Sequence, residues 1–333
     1  MLKNLNIAII GGSISGHLNA LNLQRLGAKV TIFERSAQTS FKDRGVGIGV
    51  PTTVIDLVKS MGFFTGMVKH EHCPYFKRII PSIDHPENGR LVWQQPVQVE
   101  LMSWSEIFSQ FYGLIPEDAM HYDSKVVEVG MRNDKAYVRL DGDQDVKEFD
   151  LVIGADGYLS TSRKFVSPNS VPTPAGYVLW RGSVSEEALV ALKIHAPCFE
   201  QFSFIFLPGC GGHVVFYYVR KPSGERVLTW GQYIPVSALD FPRVMTDSTG
   251  VQHTHSLPPG FVQSDLENGW KARALAHMPS NYSAVIAATE NTFIQGIFDV
   301  DISSLVRERV VLTGTINYLV ICIGMWIKLR FHR

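Results

Sequence analysis

The sequence predicts an α/β fold in which a Rossmann-like βαβ unit is interleaved with a smaller lobe built on a mostly antiparallel β-sheet. Three observations carry this expectation. Residues 5–36 read as strand, glycine turn, helix and second strand. A second apolar strand, 150–154, also runs into a glycine turn. From about residue 172 to 235 the chain is rich in β-formers, with turn residues between the runs.

The first unit begins with the apolar run Ile7-Ala8-Ile9-Ile10, and Gly11-Gly12-Ser13-Ile14-Ser15-Gly16 then opens a segment of helical spacing (Leu18, Leu21, Leu23, Leu26) closed by Gly27. Lys29-Val30-Thr31-Ile32-Phe33 forms the next strand and ends in Glu34-Arg35-Ser36. A turn that brings backbone N–H groups and a helix N-terminus against a pyrophosphate needs side chains that are absent or tiny, which Gly11, Ser13 and Gly16 provide. Ser13 stands where the usual G-x-G-x-x-G pattern has its middle glycine. Glu34 follows the turn by about twenty residues, the distance at which a carboxylate accepts bonds from adenosine ribose hydroxyls. The unit suits NAD and FAD equally.

The second nucleotide-type signal is Asp150-Leu151-Val152-Ile153-Gly154-Ala155-Asp156-Gly157, followed by Ser160 and Arg163. Asp156 also suits a plain helix cap. Between the two signals, 73–98 is rich in Pro and β-formers, including Ile79-Ile80 and Leu91-Val92-Trp93. A helix near 104–113 and strands near 125–130 and 135–140 follow, with a turn at Asp141-Gly142-Asp143. Beyond the second signal, Tyr177–Trp180, Phe202–Phe206, His213–Arg220 and Val227–Tyr233 read as strands, with a turn at Pro208-Gly209-Cys210-Gly211-Gly212. Residues 257–280 read helical and 289–299 lead back to the first lobe.

Bulk properties narrow the function classes. Thirty-one Lys plus Arg balance thirty-one Asp plus Glu, so no overall field draws in nucleic acid. Cys73, Cys198, Cys210 and Cys322 lie far apart without metal-ligand spacing, so free thiols and no metal are expected. The chain enters a strand pattern almost at once, with no signal-peptide pattern, and a cytoplasmic location is the expectation.

The Gly154-Ala155-Asp156-Gly157 run with Ser160 and Arg163 resembles the GADG-x-x-S-x-x-R fingerprint of the FAD-dependent aromatic-ring hydroxylases of the para-hydroxybenzoate hydroxylase type. Other segments extend the resemblance: Arg44-Gly45-Val46-Gly47-Ile48-Gly49, Ser103-Trp104 with Ile107 and Phe108, and Trp180-Arg181-Gly182 with Glu186-Glu187. With the first turn they point to the branch of 2,6-dihydroxypyridine 3-monooxygenase. The resemblance implies a Rossmann-like FAD-binding domain (1–72, 99–170 and 292–314) interleaved with a smaller substrate domain containing a mostly antiparallel β-sheet (73–98 and 171–291).

It implies FAD held by Gly11, Gly12, Ser13, Ile14, Ser15, Gly16, Glu34, Arg35, Arg44, Gly154, Asp156 and Gly157. NADH or NADPH would be the co-substrate. O₂ and a small aromatic or hydroxypyridine-like substrate would meet through a flavin hydroperoxide, with no metal. The protein's share is to hold the ring, exclude water and help deprotonate a ring hydroxyl. Candidates on the strand-rich lobe are His213, Tyr217, Tyr218, Tyr233 and Arg181, each of which also suits packing. His253 and His255 are expected to be solvated.

The resemblance breaks near the C-terminus. Arg309–Gly314 looks like the strand leading to the family's third fingerprint, but Thr315-Ile316-Asn317-Tyr318 follows in place of its Gly-Asp run. Residues 315–333 therefore read as an atypical tail from different coding, such as intron read-through, which makes a truncated, catalytically impaired flavoprotein an alternative. The apolar stretch 310–327 also suits a membrane anchor. An NAD-dependent dehydrogenase is a third reading, which leaves Gly154–Gly157 unexplained.

Overall fold

The computed structural model describes residues 2–41, 47–64, 66–111, 113–194, 200–208 and 212–314. Strand β1 (Asn6–Ile10), helix α1 (Ile14–Arg25) and β2 (Lys29–Phe33) form the expected βαβ unit. β3 (Gly47–Pro51) and α2 (Thr52–Ser60) precede a long hairpin of β4 (Glu71–Ile80) and β5 (Arg90–Ser103), which runs straight into α3 (Trp104–Phe111). That junction has a local cause: the Ser103 hydroxyl accepts from the N–H of Glu106 at 3.1 Å and caps the helix.

β6 (Met120–His121) returns to the first sheet, and β7 (Val126–Arg132), β8 (Lys135–Leu140) and β9 (Lys147–Phe149) form a small antiparallel sheet. β10 (Leu151–Gly154) and α4 (Thr161–Val166) carry the second glycine turn. The remaining strands are β11 (Thr173–Ser185), β12 (Phe202–Phe206), β13 (His213–Arg220), β14 (Arg226–Pro235), β15 (Ser256–Leu257), β16 (Phe293–Asp299), β17 (Val306–Arg307) and β18 (Val310–Leu312). Among them lie α5 (Glu186–Ala191), α6 (Phe241–Val244), α7 (Ser264–His277) and α8 (Ser280–Ala288).

The nucleotide-type sheet has the order β17-β18-β10-β1-β2-β6, parallel throughout except at β17. Its strands are apolar on both faces, as a sheet covered on two sides requires. Ile7, Ile9 and Ile32 pack toward α1 and α3, while Ala8, Val152 and Val310 pack toward the small sheet.

The second sheet has nine strands in the order β15-β16-β11-β14-β13-β12-β4-β5-β3, antiparallel except between β12 and β4. One face carries Trp180, Trp230 and Phe216 against α7 and α8. On the other face the sheet curls: Tyr217 in β13 reaches Gly47 in β3 although β12, β4 and β5 lie between them. Cys73, Leu101, Phe204 and Val215 fill the concavity.

The structure departs from two expected boundaries. β5 runs unbroken across residue 98, because its second half pairs with β3 as well as β4. β16 pairs with β11 in the nine-stranded sheet, although 292–314 were expected to lie with the nucleotide-type lobe. The apolar stretch 310–327, which also suited an anchor, starts with the strand Val310–Leu312, and from residue 315 onward it lies, like the whole atypical tail, outside the described residues. Among the described residues no helix is long and apolar enough to cross a membrane.

Candidate functional site

The first glycine turn is closed by contacts that forbid side chains. A Cβ on Gly16 would stand 1.9 Å from the Gly11 carbonyl oxygen, and one on Gly11 would stand 2.4 Å from the carbonyl oxygen of Ala155. Gly11 also has φ of +101°, which only glycine adopts without strain. The turn therefore touches the second fingerprint directly, as parallel pairing of β1 with β10 dictates. Ser13 precedes α1, no side chain caps that helix, and no acidic residue lies in its first turn. The positive end of the helix is left for another partner.

Glu34 is buried and divides its carboxylate: Oε2 accepts from the N–H of Gly12 and Oε1 from the N–H of Ser36, both at 2.8 Å. Two oxygens with about four lone-pair directions keep acceptor capacity for ribose hydroxyls after both bonds. Arg35 beside it is exposed. Arg44 lies outside the described residues.

At the second turn, Asp156 is turned onto its own helix. The Ser160 hydroxyl donates to Oδ1 at 2.6 Å, and the Ser162 N–H donates to Oδ2 at 3.0 Å. The capping geometry foreseen as the plain alternative is thus realised. Gly157, at φ +68°, faces open space, so a ligand's approach there meets no side chain. The end of the third parallel strand completes the cleft: a Cβ on Gly314 would press on Ser15 Oγ at 2.8 Å.

A second group of functional side chains lies on the concave face of the nine-stranded sheet. Strand register puts Arg181, Thr229, Tyr217, His213 and Tyr233 on that face. Tyr218, adjacent to Tyr217, alternates to the other face, where its ring lies under Arg226 at 3.9 Å. The sequence grouped the two tyrosines; the two-residue period of a strand separates them.

Tyr217 is fully buried, and its hydroxyl donates to the Gly47 carbonyl at 3.0 Å. Burial pushes its pKa up to about 12, with the charge of Arg181 opposing. A proton so held and so engaged makes Tyr217 a poor base, which corrects its candidacy for that role. His213 stacks on Tyr233 at 4.5 Å and on Phe206 at 5.6 Å, and burial lowers its pKa to about 4. It is neutral at physiological pH.

Arg181 is 1% exposed, its Nε, Nη1 and Nη2 have no partner of hydrogen-bonding geometry among the described residues, and its charge is felt by the Tyr217 hydroxyl. Thr229 Oγ1 is likewise buried without a partner. Sequence reasoning missed Thr229, whose only signal was its register opposite Tyr217. It also took His255 for a solvated loop residue. His255 is instead wedged between the rings of Tyr158 and Phe298, each at 4.8 Å, and burial followed by the charges of Arg163 and Arg35 lowers its pKa. His253 Nε2 donates to Asp247 Oδ2 at 2.7 Å in a loop of Asp247 hydrogen bonds. No group of three potential metal ligands occurs among the described residues.

Comparison with known proteins bears on this arrangement. A family model described as FAD binding domain-like matches residues 174–299. Over 320 residues the chain is 27% identical to 2,6-dihydroxypyridine 3-monooxygenase of Paenarthrobacter nicotinovorans, spanning 92% of this chain and 75% of that protein. The solved 2,6-dihydroxypyridine-3-hydroxylase from Arthrobacter nicotinovorans superposes with a TM-score of 0.83 at 24% identity, over 95% of this chain and 78% of that one. CtdE, solved in complex with FAD, superposes at 0.69 with 18% identity, over 95% and 78%. With its paired glycine turns, curled nine-stranded sheet and these similarities, the chain is a homologue of the FAD-dependent aromatic-ring hydroxylases.

Proposed function

We propose that the protein is an FAD-dependent monooxygenase that hydroxylates a small aromatic or hydroxypyridine-like molecule, using O₂ and NADH or NADPH. The observation that carries this reading is the pairing of a side-chain-free, uncapped nucleotide turn with a concave sheet face bearing a buried arginine that has no anionic partner among the described residues. The residues of the turn fit the cofactor: Gly11, Gly12, Ser13, Ile14, Ser15 and Gly16 would meet its pyrophosphate and Glu34 its ribose. Gly157 would admit it from the other side, where Gly154 makes room for Ser162 and Asp156 fixes the start of α4. Bound FAD would supply the electron transfer and oxygen activation that side chains lack.

The chain's own part is binding and positioning. The concave face offers apolar walls from Phe204 and Val215 and polar groups from Arg181 and Thr229. Neutral His213 can offer one ring nitrogen as a hydrogen-bond donor and the other as an acceptor without carrying charge into that face. The buried free thiol of Cys73 fits a cytoplasmic enzyme.

The test is purification with and without added FAD, followed by NADH and NADPH oxidation in the presence of phenols and hydroxypyridines. Retained yellow flavin and ligand-stimulated oxidation are expected. A colourless chain that takes up no FAD sinks the reading and leaves the impaired-remnant alternative.

A further inference from the structure

The loop that carries His253 and His255 is polar in sequence and well tied in the fold. Asp247 ties it: its carboxylate accepts from the N–H groups of Thr249 and Val251, from the Thr249 hydroxyl and from His253 Nε2. The His253 N–H donates to the Met245 carbonyl at 2.8 Å, and Thr246 bridges to Gln252. His255 then joins the nine-stranded sheet, where its carbonyl accepts from the N–H of Gly296 at 2.8 Å. A fixed backbone thus presents its ring, and Phe298, itself packed edge-on against Phe241 at 5.7 Å, supports that ring.

The ring also meets Tyr158, 4.8 Å away, which belongs to the second nucleotide turn. Tyr158 follows Gly157, whose φ of +68° and open surroundings mark where a ligand can reach the turn. Within its own lobe the turn is held by Asp156 on Ser160 and Ser162, and by Arg163, whose Nη2 donates to the Tyr158 carbonyl at 2.7 Å. None of those bonds involves the Tyr158 side chain. We infer that His255 is a positioning residue for FAD: packed on Tyr158, it braces the second nucleotide turn from the nine-stranded-sheet lobe in the shape that receives the cofactor. This inference rests on the FAD-binding part of the proposed function. Burial first, then the charges of Arg163 from α4 and Arg35 after β2, favours the neutral His255 ring. The contact with Tyr158 is therefore packing between rings rather than cation on ring, and a neutral aromatic of similar size should replace His255.

The experiment measures FAD affinity by quenching of flavin fluorescence, together with amide hydrogen exchange at residues 157–162 in the FAD-free chain. His255→Ala is expected to weaken FAD binding about threefold to tenfold, the worth of one aromatic pair, and to speed exchange in that turn. His255→Phe should return both to near the wild-type values. Tyr158→Ala should match His255→Ala, and the double variant should lose no more than either alone, because both remove one contact. If His255→Ala fails to fold, Tyr158→Ala against His255→Phe makes the same comparison.

Unchanged FAD affinity in His255→Ala or Tyr158→Ala overturns the inference. So does a loss that His255→Phe also shows, or losses that add in the double variant. Hydrogen exchange separates this inference from the hydroxylase reading. A wild-type chain that binds no FAD, with exchange faster in His255→Ala and normal in His255→Phe, sinks that reading and leaves the brace standing. One that binds FAD while His255→Ala behaves as wild type sinks only the brace.

Discussion

Tyr217 holds the carbonyl of Gly47 across 170 residues of chain, and this hydrogen bond closes the curl of the nine-stranded sheet at the start of β3. Tyr217→Phe keeps the ring stacked on Phe202, 4.7 Å away, and deletes only that bond. A loss of about 1 to 2 kcal/mol in denaturant unfolding is expected, as for a buried bond whose acceptor is left unpaired. If Tyr217 positions the β3 start and is no base, the pH profile of turnover keeps its shape while its height falls.

Gly16→Ala tests the turn. Its Cβ would sit 1.9 Å from the Gly11 oxygen, and backbone cannot retreat as a flexible side chain can. Overpacking of this kind costs about 1 to 3 kcal/mol. FAD affinity, followed by quenching of flavin fluorescence, should fall more than global stability predicts.

Glu34→Gln keeps the shape and removes the charge. An amide can offer only one oxygen, so its NH₂ must face the N–H of Gly12 or of Ser36. Weaker FAD binding and a stability loss of about 1 to 3 kcal/mol are expected from calorimetry and titration. Unchanged values would show that backbone rearrangement satisfies both donors without the carboxylate.

His213 predicts an acid-side dependence. Burial lowers its pKa from 6.5 to about 4 in the folded chain, so between those values the unfolded chain binds the extra proton. The stabilising preference is complete above pH 6.5 and is lost as pH falls toward about 4. His213→Phe, which retains the stack on Tyr233, should show a shallower decline of melting temperature across that window. Parallel declines in both proteins would move the effect to other groups.

Both sheets were legible in the sequence because each has a strong local signature. Glycines at 11, 12 and 16 followed by helical leucines announce the first turn, and the runs of β-formers in Phe202–Phe206 and His213–Arg220, with turn residues between them, announce strands. What escaped depends on contacts between distant segments. Nothing near Gly47 marks it as an edge strand of the second sheet, and nothing near residue 98 marks β5 as continuous, because pairing partners rather than composition decide both. Candidate residues were found by type and sorted only by register: Tyr217 and Tyr218 are neighbours in sequence and strangers in the fold. Asp156 was foreseen in both of its roles, and only its hydrogen bonds with Ser160 and Ser162 reveal which one the polypeptide itself fulfils.

The parallel sheet also governs how the molecule comes into being. β1 pairs with β2 soon after both are made, but its other neighbour β10 (Ile7 opposite Leu151) follows much later in the chain, and β10 in turn waits for β18 (Val152 opposite Val310). High contact order of this sort slows folding and leaves apolar strands unpaired meanwhile. The Ile7–Ile10 segment is therefore the hazard of biosynthesis, and slower translation or chaperone supply should raise yield more than any substitution in the mature cleft.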